Sequence, residues 1–162
     1  MSTLLAIDPG NDMSGWCVID VPSRRPLAFG KTNNADLRVQ LGGLDVDRAV
    51  IEMIASYGMP VGAEVFVTCI WIGRFSEALL RRWGRLPDLV TRQAIKLHHC
   101  HSNKANDATI RQALVDRFAY GQPNHGKGTK AAPGWFHGFA ADVWQSYALA
   151  VYCADTMAGG VA

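Results

Sequence analysis

The chain has 162 residues, 49% of them hydrophobic and 19% charged, with a formal charge of +2 at pH 7. That length supports one well-formed core and excludes two ordinary domains, so a single domain over residues 1–162 is expected, and no run approaches the roughly 18 apolar residues of a membrane helix. Cys17, Cys69, Cys100 and Cys153 are scattered without C-x-x-C spacing, which excludes a disulfide scaffold, and the start of the chain lacks the pattern of a secretory signal, so a soluble cytoplasmic protein is expected.

Residues 4–20 read LLAIDPGNDMSGWCVID, an apolar run into Asp8, a Pro9-Gly10 turn and a second apolar run out again. This is a β-hairpin that presents a lone carboxylate at the mouth of a sheet. After Leu4, Leu5, Ala6 and Ile7, an aspartate needs a hydrogen bond, an ion pair or a cation to offset its desolvation. A turn cap and a metal ligand are equal rivals on these residues alone. Residues 26–32 extend as a third strand, residues 35–44 are helix-compatible up to Gly42-Gly43, and residues 49–51 form a short strand that again runs into an acid, Glu52. Glycine and proline mark residues 56–62 as a loop.

Residues 64–83 carry apolar side chains at helical spacing, which predicts Phe66, Ile70, Phe75, Leu79 and Leu80 in the core. Residues 89–99, of mixed period, are predicted as a strand. Asn106 and Asp107 supply the N-cap of a helix through Phe118. Residues 119–134, rich in glycine and proline, form a loop long enough to be functional or disordered. Residues 137–158 form a last helix that places Asp142, Gln145, Ser146 and Leu149 on one face. Three strands followed by alternating helices and strands describe a mixed α/β sheet whose first three strands are antiparallel.

The charge is divided unevenly. Residues 70–130 hold eleven basic against four acidic side chains, and the rest of the chain five against ten. Arg74, Arg81, Arg82, Arg85, Lys96, Lys104, Lys127 and Lys130 are the candidates for meeting a polyanion, although a solvated helix face is the commoner fate of Arg81, Arg82 and Arg85. Two strand ends and one helix supply the carboxylates Asp8, Glu52 and Asp142, which can meet at one edge of the sheet. Mg²⁺ takes oxygen ligands and retains waters, and two such ions about 3.5–4 Å apart activate water and stabilise the leaving oxygen in phosphodiester cleavage.

These segments resemble the RuvC-type Holliday junction resolvases of the ribonuclease H-like superfamily, most closely the phage-type RuvC-like nucleases. LLAIDPGNDMSGWCVID resembles their opening hairpin, AVIEMIASYG their second acidic strand, HSNKANDATIRQALVDRF their basic turn and helix, and FAADVWQSYALAVYCAD their final catalytic helix. The resemblance implies a mixed five-stranded sheet flanked by helices. It also implies a homodimeric endonuclease using Mg²⁺ or Mn²⁺, two per site, on branched DNA in a bacterial or phage-infected cytoplasm. Asp8 would bridge both ions, Glu52 would hold one and Asp142 the other. Lys104 and Lys130 would position phosphates or neutralise the transition state, Lys127 would join the DNA contacts, and Arg74 would touch the backbone.

The match departs from the family pattern in three places. Phe139 stands where relatives carry an acid or histidine three residues before the last aspartate, which leaves His137 and Asp107 as candidates for an additional ligand. The last helix also aligns in a register that puts Ser146 at the aspartate. Ala55 occupies the position of the aromatic that packs against bases at the crossover, so Tyr57 or Met59 is the candidate wedge. A branched-DNA binding protein with impaired catalysis and a structure-specific RNA nuclease are the competing readings. His98-His99-Cys100-His101 lacks the second ligand pair of a zinc site.

Overall fold

The computed structural model describes residues 2–158 and contains one five-stranded sheet of order β3-β2-β1-β4-β5. β1 (Thr3–Asp8), β2 (Met13–Asp20) and β3 (Pro26–Asn33) form the antiparallel meander expected from the hairpin. β4 (Arg48–Met53) and β5 (Asp88–Thr91) add parallel strands on the other side of β1. The crossovers are α1 (Asn34–Leu41) with α2 (Ala63–Trp83), and then α3 (Arg92–Cys100), α4 (Asp107–Phe118) and α5 (Ala141–Ala158) follow β5.

Residues alternate between the two faces of each strand, and both faces are covered, which is why β1 is apolar at every position before Asp8. Leu5, Ile7, Val18 and Ile51 pack with Leu37 and Leu41 of α1 and with Ile72, Phe75 and Leu79 of α2. Leu4, Ala6, Cys17, Ile19 and Val50 pack with α3, α4 and α5 on the opposite face. α5 lies in the middle of that second layer and is buried at every position from Val143 to Val151. It comes down close to β2 because Gly15 has no side chain: a Cβ there would stand 2.6 Å from the Asp142 carbonyl oxygen.

Several expectations are corrected. Residues 89–99 are not one strand: β5 stops at Thr91, and Gln93, Ala94, Ile95, Lys96 and Leu97 continue as α3 with Ile95 turned into the core. The mixed period was a short strand and a helix joined at Thr91. Phe66 and Ile70 are exposed, because the buried stripe of α2 is Thr68, Ile72, Phe75 and Leu79, while Leu80 is half-buried. The last helix begins at Ala141 rather than at residue 137, behind Gly138 at φ 83°, a left-handed conformation that breaks helical continuity. Residues 119–134 do form the expected loop, mostly exposed, with a 3-10 turn, Pro123–Gly126, and a bridge between Gly128 and Pro133.

Candidate active site

Strand register builds the site. Asp8 pairs with Gly15, Gly15 pairs with Lys31, and the Ile7–Ile51 pair places Glu52 beside Asp8. Lys31, Asp8 and Glu52 therefore share the sheet face that α5 covers, in one row interrupted only by Gly15. Asp142, in the first turn of α5, sits over that gap. The turn after Asp8 is tied by a closed set of hydrogen bonds. Ser14 Oγ donates to Asn34 Oδ1 at 2.6 Å, Asn34 Nδ2 donates to the Gly10 carbonyl at 2.9 Å, and the Gly10 N–H donates to Ser14 Oγ at 3.2 Å. Ser14 and Asn34 do the work of the cap that was Asp8's rival role.

The site is rich in charge and partly enclosed. Burial, then the Glu52 charge, push the Asp8 carboxyl up to about 8, against the pull of Arg92. Burial also raises Glu52, opposed by Arg92 and by a hydrogen bond with Asp8. Arg92 Nη1 lies 3.5 Å from Glu52 Oε2, and Arg92 also pairs with Asp107. Lys96, one helical turn beyond Arg92, adds positive potential at Glu52. On the other side of Asp8, Lys31 Nζ lies 2.8 Å from Asp142 Oδ2. Asp8 borders two clefts: one of about 240 Å³ shared with Glu52, Tyr57 and Arg92, and one of about 310 Å³ shared with Asp12, Lys31 and Asp142.

The donors suit a hard divalent cation. All three are carboxylates, and Glu52 Oε2 is buried without a hydrogen-bond partner. Gln145 Oε1, one turn into α5, is a second buried acceptor without a partner. Among the described residues, no three His, Cys, Asp or Glu side chains close into a single coordination sphere.

Other sequence candidates lie around this centre or away from it. Tyr57 is 62% exposed and lines both the Asp8–Glu52 cleft and an adjoining one with Arg92, Lys96 and Asn103; Met59 is exposed in the same loop. Asp107 faces solvent and holds Arg92, and His137 Nδ1 meets the Lys127 carbonyl at 3.2 Å. Among the described residues, Lys104, Lys127 and Lys130 pair with no carboxylate. Arg74 lies over the Trp71 ring in a groove of α1 and α2, on the other side of the sheet from Asp8. Phe139 is buried among Phe29, Phe136, Trp144 and Tyr147. The histidine cluster is helical, not extended, with His98 held by Asp155 and His99 by the Ala148 carbonyl.

Lys31 and Arg92 are the site residues that sequence reading missed. Lys31 was legible only through the hairpin register, two residues beyond the inward Phe29. Arg92 was hidden by the strand expected over residues 89–99.

No family model and no curated protein matches the chain. Among solved structures, Thermus thermophilus RuvC in complex with Holliday junction substrate superposes with a TM-score of 0.72, covering 99% of this chain and 97% of that one at 12% identity. The fold is that of RuvC. A second structure of Thermus thermophilus RuvC gives a TM-score of 0.69 over 97% of this chain and 96% of that one, at 14% identity. The expected mixed five-stranded sheet flanked by helices is thereby matched over nearly the whole chain. In this RuvC-like frame, no helix of the described residues is long and apolar enough to cross a membrane.

Proposed function

We propose that this chain is a divalent-metal-dependent endonuclease that cleaves Holliday junctions and related branched DNA. The observation that carries the reading is Asp8: a largely buried carboxylate on a RuvC-like sheet, beside Glu52, bordering two clefts with Asp142 across the second. Asp8, Glu52 and Asp142 would hold Mg²⁺ or Mn²⁺. Once bound, such ions lower the pKa of a water and stabilise the leaving oxygen of a phosphodiester.

The chain's own groups do the rest. Arg92 and Lys96 set positive charge beside Glu52, where a strand's phosphates would lie. Tyr57, exposed at the mouth of that cleft, would stack against a base at the branch, with Met59 beside it. Lys104, Lys127 and Lys130 would contact the DNA arms. Arg74, on the opposite face, would touch only DNA that wraps away from the cut. Symmetric nicking needs two sites, and α2 leaves Phe66, Val67 and Ile70 exposed on adjacent turns as the surface on which two copies would meet. An Ile70→Lys variant is expected to be monomeric in light scattering and to lose paired nicks.

The test is cleavage of a four-way junction, a flap and linear duplex in Mg²⁺ or Mn²⁺. Branched substrates should be cut, and Asp8→Asn should abolish cutting while junction binding persists. Absence of cutting by folded dimer on every branched substrate would overturn the enzymatic reading. It would leave a branched-DNA binding protein, a second reading favoured by the ion pair that occupies Asp142.

A further inference from the structure

We infer that Lys31 is the resident counter-ion of this site: it neutralises Asp142 in the metal-free protein, yields that carboxylate to an entering divalent cation, and then faces the phosphate of the bound strand. The inference rests on the nuclease reading. Its basis is the cross-strand row. Gly15 stands between Lys31 and Asp8 and contributes no side chain, so the first turn of α5 closes onto β2 there and brings Asp142 within reach of the Lys31 ammonium.

Among the described residues, Lys31 is the single ion-pair partner of Asp142, at 2.8 Å, and Asp142 of Lys31. Both side chains are close to half exposed, 49% and 43%, so separation requires no repacking. Arg92 differs: it is tied to Glu52 and Asp107 at once and is less exposed. A released Lys31 stays in the cleft bordered by Asp8, Asp12 and Asp142, because β3 anchors its backbone beside Gly15. A divalent ion competes with one ammonium for Asp142, and a phosphate arriving in the same cleft supplies that ammonium with a new anion.

The test is Mn²⁺ binding to the whole protein without DNA, by calorimetry and by the electron paramagnetic resonance of free Mn²⁺. Lys31→Met should bind Mn²⁺ roughly fivefold more tightly than wild type, as befits an exposed pair, and the gain should shrink at high salt. Lys31→Arg should stay near wild type, and in an Asp142→Asn background the gain from Lys31→Met should be much smaller. On a four-way junction, Lys31→Met should need less metal for half-maximal rate yet reach a lower kcat. A folded Lys31→Met protein with unchanged or weaker Mn²⁺ affinity, beside a wild type that binds Mn²⁺ and cuts, overturns the inference alone. A wild type that neither binds Mn²⁺ nor cuts overturns the nuclease reading and this inference with it.

Discussion

Asp8 and Glu52 are neighbours across the parallel β1–β4 pair, and the Glu52 charge stands second only to burial in pushing the Asp8 carboxyl up. Two buried acids so close do not both ionise freely, so the metal-free pair retains a proton at neutral pH. Asp8 is raised from 3.8 to about 8, so its contribution to stability is fully present below the lower value and is lost as pH rises through the higher. In EDTA, the melting temperature of the wild type should therefore fall across that interval.

Asp8→Asn, uncharged at every pH, should flatten this dependence and melt above wild type at the alkaline end. Each kcal/mol recovered raises the melting temperature by roughly 2–4 °C in a chain of this size. Mg²⁺ should stabilise wild type most at alkaline pH, since binding requires the ionised carboxylates, and should do little for Asp8→Asn. Calorimetry across pH, with and without metal, checks both. A wild-type profile that rises with pH in parallel with the variant would refute the shared proton.

Gly15→Ala moves Asp142 without changing any charge. The added Cβ would stand 2.6 Å from the Asp142 carbonyl oxygen and 3.1 Å from its Cβ, both within the first turn of α5. The helix has to shift, at about 1–3 kcal/mol of stability. Because the displaced turn carries a proposed metal ligand, cleavage should drop by about a hundredfold or more at a temperature where the variant is folded. A melting curve paired with single-turnover cleavage separates the two effects.

The carboxylates were legible because each ends an apolar segment or opens a helix, a signal contained within a few residues. The strand ends at Asp8 and Glu52 and the turn around Gly10 lie within their own segments, whereas the choice between turn cap and metal ligand at Asp8 drew on Glu52 and Asp142 elsewhere in the chain. Lys31 and Arg92 were not legible in this way. One enters the site through pairing two strands away, and the other through a helix that begins immediately after Thr91. Phe66 and Ile70 misled for a related reason: α2 is apolar over more than one face, and the inward stripe through Ile72, Phe75 and Leu79 is chosen by the sheet beneath it.

On the proposed reading, Tyr57 separates recognition from chemistry. Its exposed ring joins the Asp8–Glu52 cleft to the one lined by Lys96 and Asn103. Stacking on one base is worth about 1–3 kcal/mol, so Tyr57→Ala should weaken four-way junction binding by about tenfold. Tyr57→Phe keeps the ring and should bind as wild type does. Neither substitution should change the melting temperature, since the ring is exposed. Fluorescence anisotropy on junction and duplex would show whether the loss is confined to branched DNA.

At the far end of α5, Asp155 joins four elements and should govern stability without touching catalysis. Arg117 grips it through Nη1 at 2.6 Å and Nη2 at 3.0 Å, Arg24 Nε donates at 3.0 Å, and His98 Nε2 lies at 2.8 Å. The β2–β3 turn, α3 and α4 are thus fastened to the helix that carries Asp142. These partners hold the Asp155 carboxyl well below its ordinary range although burial opposes them. A depressed carboxylate stabilises the fold above its unfolded pKa, and that contribution is lost as pH falls toward the native value. Asp155→Ala leaves Arg24 and Arg117 facing each other without an anion, and the side chain is only 14% exposed, so a loss of about 2–4 kcal/mol is expected at neutral pH. That loss should shrink in acid, where wild type loses the same interaction. Urea unfolding at neutral and acidic pH measures it, and junction cleavage at low temperature should match wild type, because Asp155 lies at the end of α5 remote from Asp142. Equal stability of the two proteins at neutral pH would show that the four elements are held by packing alone.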